Sequence, residues 1–224
     1  MEINNYTLSG ESKSHHALDS FVFTYQNLFG NKDNLKIEIN YMNRVHVYNE
    51  DSKDILMPFL NLHKVSTLNV YELYGSKIKA LLERCTIRDV YDVYHMIYSK
   101  LFSDNEYLKV KKCVIFYMAI GKTTDRSFNN VIIDFEIKIK AYLLNKVPQF
   151  LSSTLKKDDT FSLIKAVEVV KDFISSFMRL SDSEVKFINE FEKGHYCPEL
   201  LFDDEKIVSR IKEHPMALWK TSNH

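Results

Sequence analysis

A chain of 224 residues that is 45% hydrophobic, with 15 Phe and 13 Tyr, holds enough apolar surface for a real core without disulfides or metals, which excludes a disordered chain. Lys plus Arg and Asp plus Glu number 30 each, so no global field draws the chain to nucleic acid or to a membrane, and any phosphate binding has to be local. There is no apolar run of about 18 residues and no basic stretch leading into an apolar one, so no membrane contact and a cytoplasmic location are expected. Cys85, Cys113 and Cys197 are odd in number and lack a paired spacing, which reads as reduced thiols.

Residues 1–17 are polar, carry His15 and His16 side by side, and show neither capping nor periodicity; they read as a loop or a partly ordered tail. An alternating strand is expected from Ser20 to Tyr25, a turn over 30–34 and a second strand from Leu35 to Tyr41. Arg44 to Tyr48 and Lys64 to Ser66 continue the extended character. At Asn69, with Glu72 three residues on, a capping pattern marks the change to helices. Helices are expected near 70–84, 87–103, 106–120, 127–146, 158–178, 182–193 and 204–213, punctuated by Pro148, Pro198 and Pro215. Lys156 to Asp159 read as a loop and helix start. The fold class is therefore α+β, a small and mainly antiparallel sheet over 1–66 followed by a mostly helical bundle over 67–224.

Charge and chemistry concentrate between Glu72 and Asp92. Positions 77, 80, 81, 84 and 88 follow a helical stripe, so Lys77 and Arg84 project from one side. Thr86 with Asp89 forms a capping box that closes one helix and opens the next. Arg grips phosphate oxygens as a fork and Lys acts as a point charge, so a cationic face beside Asp89 and Asp92 suits a phosphate. The plainer reading is a set of solvated charges paired with nearby acids. The small pair Gly75 and Ser76 would let a ligand approach closely.

Other acidic pairs are weaker candidates. Asp134 and Glu136 have the local look of a metal-binding strand, yet the run from Ile133 onward reads better as an amphipathic helix. Ser181 or Asp182 reads as a helix cap with acids in the first turn. Glu38 alternates with Ile37 and Ile39 along a strand, and so is either a solvent-facing residue or a metal ligand.

The order Glu72, Lys77, Ala80-Leu81, Arg84, Arg88-Asp89, Asp92 resembles the E-x4-K-x2-A-L-x2-R-x3-R-D-x2-D block of the AbiEii/AbiGii family of nucleotidyltransferase toxins. The segment Leu35 to Tyr41 is similar to that family's "lkiEi" strand. Pro198 to Phe202 and His214 to Lys220 are similar to its closing segment. The family is in turn similar to polymerase β-like nucleotidyltransferases, whose Gly-Gly/Ser turn and Asp-x-Asp pair are expected to lie upstream of the part matched here.

The resemblance implies a nucleotide transferred from a triphosphate, GTP the first guess, with Mg2+, to an acceptor such as tRNA. It implies Glu38 as the third metal carboxylate, Lys77 on the phosphates, Ser76 as a phosphate contact or a modified residue, Arg84 or Arg88 assisting or locking the helix pair, and Asp92 as a polar site residue or the partner of Arg88. A cognate antitoxin is the partner it implies; a chain truncated or split ahead of the upstream motif would leave an unpaired sheet edge and an apolar face, so a homo-oligomer or a complementary N-terminal chain is expected across residues 20–48. A chain acting without catalysis, as a binder of antitoxin, nucleic acid or a complementary chain, is the alternative.

Overall fold

The computed structural model describes residues 2–3, 5–54, 64–121, 128–144 and 161–222. Strands β1 (Glu2–Ile3), β2 (Tyr6–Leu8), β3 (Lys13–His15), β4 (Leu18–Gln26) and β5 (Lys32–Asn40) form a five-stranded antiparallel sheet, and β6 (Asp51–Asp54) pairs with β7 (Lys64–Thr67). Helices follow as α1 (Val70–Arg84), α2 (Ile87–Tyr98), α3 (Asp104–Ile120), α4 (Phe128–Leu144), α5 (Leu163–Phe177), α6 (Asp182–Glu192), α7 (Glu205–Ile211) and α8 (Pro215–Thr221), with a 3-10 turn at Pro198–Leu200 before α7. The expected α+β class is present. The change from strand to helix falls between Thr67 and Val70, whereas the compact units are 1–45 with 214–216, and 46–213 with 217–224. The stretch Lys156 to Asp159 and Pro148 lie outside the described residues. Among the described residues no helix is long and apolar enough to cross a membrane.

In the first unit β4 is the spine. One of its edges pairs along its whole length with β5, from Leu18 opposite Asn40 to Gln26 opposite Lys32. The other edge is shared end to end by β2 and β3. Between them Val22 is served by serines, its carbonyl accepting from the Ser9 amide at 2.7 Å and its amide donating to Ser12 Oγ at 3.0 Å. The expected loop over residues 1–17 is therefore corrected to strands, which form because β4 offers partners that no local pattern reveals. The β4–β5 turn also sits earlier than expected. Asn27 closes it by accepting from the Phe29 and Asn31 amides, and Gly30 takes a positive φ of 76°.

In the second unit α3 is buried nearly all round from Val110 onward, with Val110, Val114, Ile115, Phe116 and Met118 in the core. It starts at Asp104 rather than 106, because Ser103 and Glu106 form a capping box, and α2 ends at Tyr98 rather than 103, with Lys100 at a positive φ of 48° beyond it. A buried ion pair ties α3 to α6: Lys111 Nζ lies 2.8 Å from Glu184, which also caps its own helix through Ser181. Lys220 of α8 donates to the carbonyls of Ala119 and Gly121 and so caps the end of α3. Asp134 and Glu136 lie within α4, as the amphipathic reading requires. Pro215, read as punctuation, is instead the first residue of α8, a position where its missing amide costs nothing.

α1 approaches α3 tightly at Gly75, where an added Cβ would stand 2.6 Å from Cys113 Cβ. The small residue admits a helix here rather than a ligand. Gly75→Ala is accordingly expected to destabilise the chain by about 1–3 kcal/mol in chemical denaturation; an unchanged midpoint would mean that the two helices have slack.

Candidate functional site

The block from Glu72 to Asp92 spans α1 and α2, and nearly every charge in it has an internal partner. Glu72, in the first turn of α1, is fully buried. Its carboxylate accepts from the Val47 and Tyr48 amides at 3.1 Å each and from the Tyr117 hydroxyl, with His46 Nδ1 at 3.3 Å. Such a ring of donors is what a buried carboxylate requires. Asn69 alone caps α1, accepting from the Tyr71 amide at 3.0 Å, so Glu72 does not complete the capping box that its spacing suggested. The same bonds explain why 44–48 is not the expected strand: Val47 and Tyr48 donate to Glu72 instead of to a ladder. Burial beside Glu72 drives the Tyr48 and Tyr117 hydroxyl pKa values well upward, and the Tyr117 hydroxyl stays protonated as a donor to Glu72.

Across the α1–α2 junction Arg84 holds Asp89 with Nε at 2.9 and 3.1 Å and Nη2 at 2.6 Å. Asp89 also takes the Thr86 amide and hydroxyl, completing the capping box, and its side chain is 3% exposed. Burial pushes the Asp89 carboxyl up, but Arg84 and Thr86 outweigh it and hold its pKa below the ordinary 3.8. Cys85, between the helices, adopts the left-handed conformation at φ 50° and is buried, which pushes its thiol up to about 11 and leaves it unreactive at neutral pH. Lys79 pairs with Glu83 one turn on, and the Glu83 carbonyl accepts from Lys138 of α4.

Lys77 donates to Asp92 at 2.7 Å, a second tie between α1 and α2. This pair differs from Glu72 and Asp89 in being reachable, with Lys77 34% and Asp92 31% exposed. Arg88 is exposed and makes no hydrogen bond or ion pair among the described residues. It stands four residues before Asp92 on α2, so both share one helix face. Asp92 thus pairs with Lys77 rather than with Arg88. Ser76, beside Lys77, is half-buried.

Glu38 is exposed on β5, opposite Ser20 in register and 2.7 Å from Lys36. Among the described residues no three His, Cys, Asp or Glu side chains gather as a metal ion would need. Glu38, neutralised by Lys36 and without companion carboxylates, does not by itself fit a resident Mg2+. His15 lies on β3, exposed. Glu72 was not among the residues singled out as functional. Its signal was an acid at the start of a block whose remaining charges are placed by the same helices.

The Asp89 cluster generates a pH dependence. Because its folded pKa is the lower one, its stabilisation is complete above the unfolded value near 3.8 and is lost as pH falls through the folded value. Asp89→Ala is expected to cost roughly 2–4 kcal/mol at neutral pH in chemical denaturation. The gap to wild type should narrow as pH falls below 3.8; a gap independent of pH would contradict the pairing.

The family described as nucleotidyl transferase AbiEii toxin, type IV TA system, matches residues 5–162, which contain both Glu38 and the whole block from Glu72 to Asp92. No match was found among curated proteins or among solved structures. The matched span covers well over half of the chain, and the protein belongs to the AbiEii nucleotidyl transferase toxin family of type IV toxin–antitoxin systems.

Proposed function

We propose that the protein works in a toxin–antitoxin pair by transferring a nucleotide from a nucleoside triphosphate, GTP the first to test, to an acceptor such as tRNA, under a cognate antitoxin. The observation that carries this reading is the family match across the α1–α2 block, inside which Lys77 stays reachable at 34% exposure. Lys77 pairs with Asp92 and Arg88 stands one turn before Asp92 on α2, so a triphosphate can compete with that carboxylate for Lys77 and take Arg88 as a second cation. Arg84 is committed to Asp89 and locks the helix pair rather than reaching a ligand. Ser76 adjoins Lys77 and is proposed either to contact a phosphate or to be the site of a controlling modification.

In the transfer an acceptor hydroxyl oxygen would bond to the α-phosphorus, its proton passing to solvent, while the bond to the bridging oxygen breaks and pyrophosphate leaves. The cations' contribution is to neutralise charge on the leaving group. Mg2+ is proposed to accompany the triphosphate, since the described residues of this chain supply cations and not a carboxylate cluster. The same observation favours the second reading, a non-catalytic protein that binds an antitoxin, nucleic acid or a complementary chain. A complementary chain carrying the metal carboxylates would reconcile the two.

Calorimetric titration of GTP, ATP, CTP and UTP with Mg2+ separates these readings. The proposal expects at least one to bind, with affinity reduced about tenfold, or 1.4 kcal/mol, in Lys77→Ala and in Arg88→Ala. Transfer of label from that nucleotide to a tRNA pool should follow. Binding of none of the four leaves the interaction reading.

A further inference from the structure

The outer edge of β5 is unpaired among the described residues: β5 bonds to β4 along one side and to no other strand. All nine of its residues are exposed. Leu35, Ile37 and Ile39 are 43%, 44% and 44% exposed and lie on one face, with Lys36 and Glu38 on the other. Across β4 the same face continues through Phe21 and Phe23, opposite Ile37 and Leu35. A long edge with an apolar row is a template for another strand, which proteins ordinarily blunt with charge, bulge or cover. β5 carries Lys32, Asp33, Lys36 and Glu38, two of each sign, and of these Lys36 and Glu38 lie within the apolar stretch 35–39, where they do not blunt an edge of complementary pattern.

That pattern names the occupant. A strand pairing with its own copy about a two-fold axis must be antiparallel, and each choice of centre fixes every opposed pair. Centred on Ile37, the register sets Lys36 against Glu38 of the second copy, twice by symmetry, and Leu35 against Ile39, with Ile37 meeting itself. Centred on Lys36 or on Glu38, like charges face each other directly, which is destabilising. Centred between residues, the register sets the apolar row against the charged one. The Ile37 register alone satisfies both the apolar row and the charges.

We infer that β5 is a homodimerisation edge: two copies of the chain join β5 to β5 about Ile37, making one continuous sheet in which Lys36 of each copy pairs with Glu38 of the other. The ion pair that Lys36 and Glu38 make within one chain, both ends about half exposed, is exchanged for a pair between chains at little cost. The inference concerns the first unit's sheet and does not rest on nucleotide transfer, and its readout is mass rather than activity.

Sedimentation velocity on the full chain tests it through Lys36→Glu and Glu38→Lys, both at exposed positions that leave the core untouched. Each variant alone opposes like charges twice and is expected to weaken the dimer by at least about tenfold. Mixed in equal amounts, the two variants restore opposite charges at both positions, and a heterodimer of wild-type strength is expected. Both variants lose the same internal ion pair, so only a contact between chains predicts loss alone and recovery on mixing. A wild-type chain that is monomeric up to about 100 µM overturns the inference. So does a dimer that neither substitution weakens, or variants whose mixture stays as weak as each alone.

Discussion

Glu72 is the constraint on which the helical unit depends. Taking a carboxylate out of water is costly unless donors surround it, and here they come from separate parts of the chain: the Val47 and Tyr48 amides before the helices begin, and the Tyr117 hydroxyl near the end of α3. The loop thus fixed is gripped from α7 as well, where Arg210 donates to the Val47 carbonyl at 2.8 Å and to Asn49 at 2.5 Å. Tyr48 then packs on Tyr71, Tyr71 on Phe102, and Phe102 on Tyr74 and Tyr107, a chain of rings across α1, α2's exit and α3. One buried charge therefore sets the register in which α1, α3 and α7 meet.

The rest of the block adds ties of decreasing burial along the same helices. Asp89 is almost enclosed and held by a guanidinium fork, while Lys77 and Asp92 meet at the surface. A network fully satisfied at one end and open at the other suits a site whose geometry is set by the fold and whose outer cation remains exchangeable. Family membership supplies the reaction class. The described structure places Lys77 on α1 and Arg88 on α2, and among the described residues no carboxylate cluster gathers beside them.

What the sequence discloses divides by range. The Thr86–Asp89 and Ser181–Glu184 caps were legible because both partners lie within one turn, and α1 begins and ends where its stripe and caps place it. The strands in residues 1–17 were not, since they exist only as partners of β4, and the alternation of 44–48 misled because the acceptor for its amides lies some 25 residues on. For the site, the residue types and their order were readable while their partners were not. A lysine placed for a phosphate and a lysine placed for Asp92 have the same spacing, and a glycine that admits a ligand has the same spelling as one that admits Cys113.

The most direct test of Glu72 as the organising charge is hydrogen exchange at the Val47 and Tyr48 amides, in wild type and in Glu72→Gln. If the buried carboxylate holds that loop, both amides exchange as slowly as those in the middle of α3, and the substitution accelerates them by at least about tenfold through local opening. Amides that exchange at exposed-loop rates in wild type, or that do not respond to Glu72→Gln, would contradict the account.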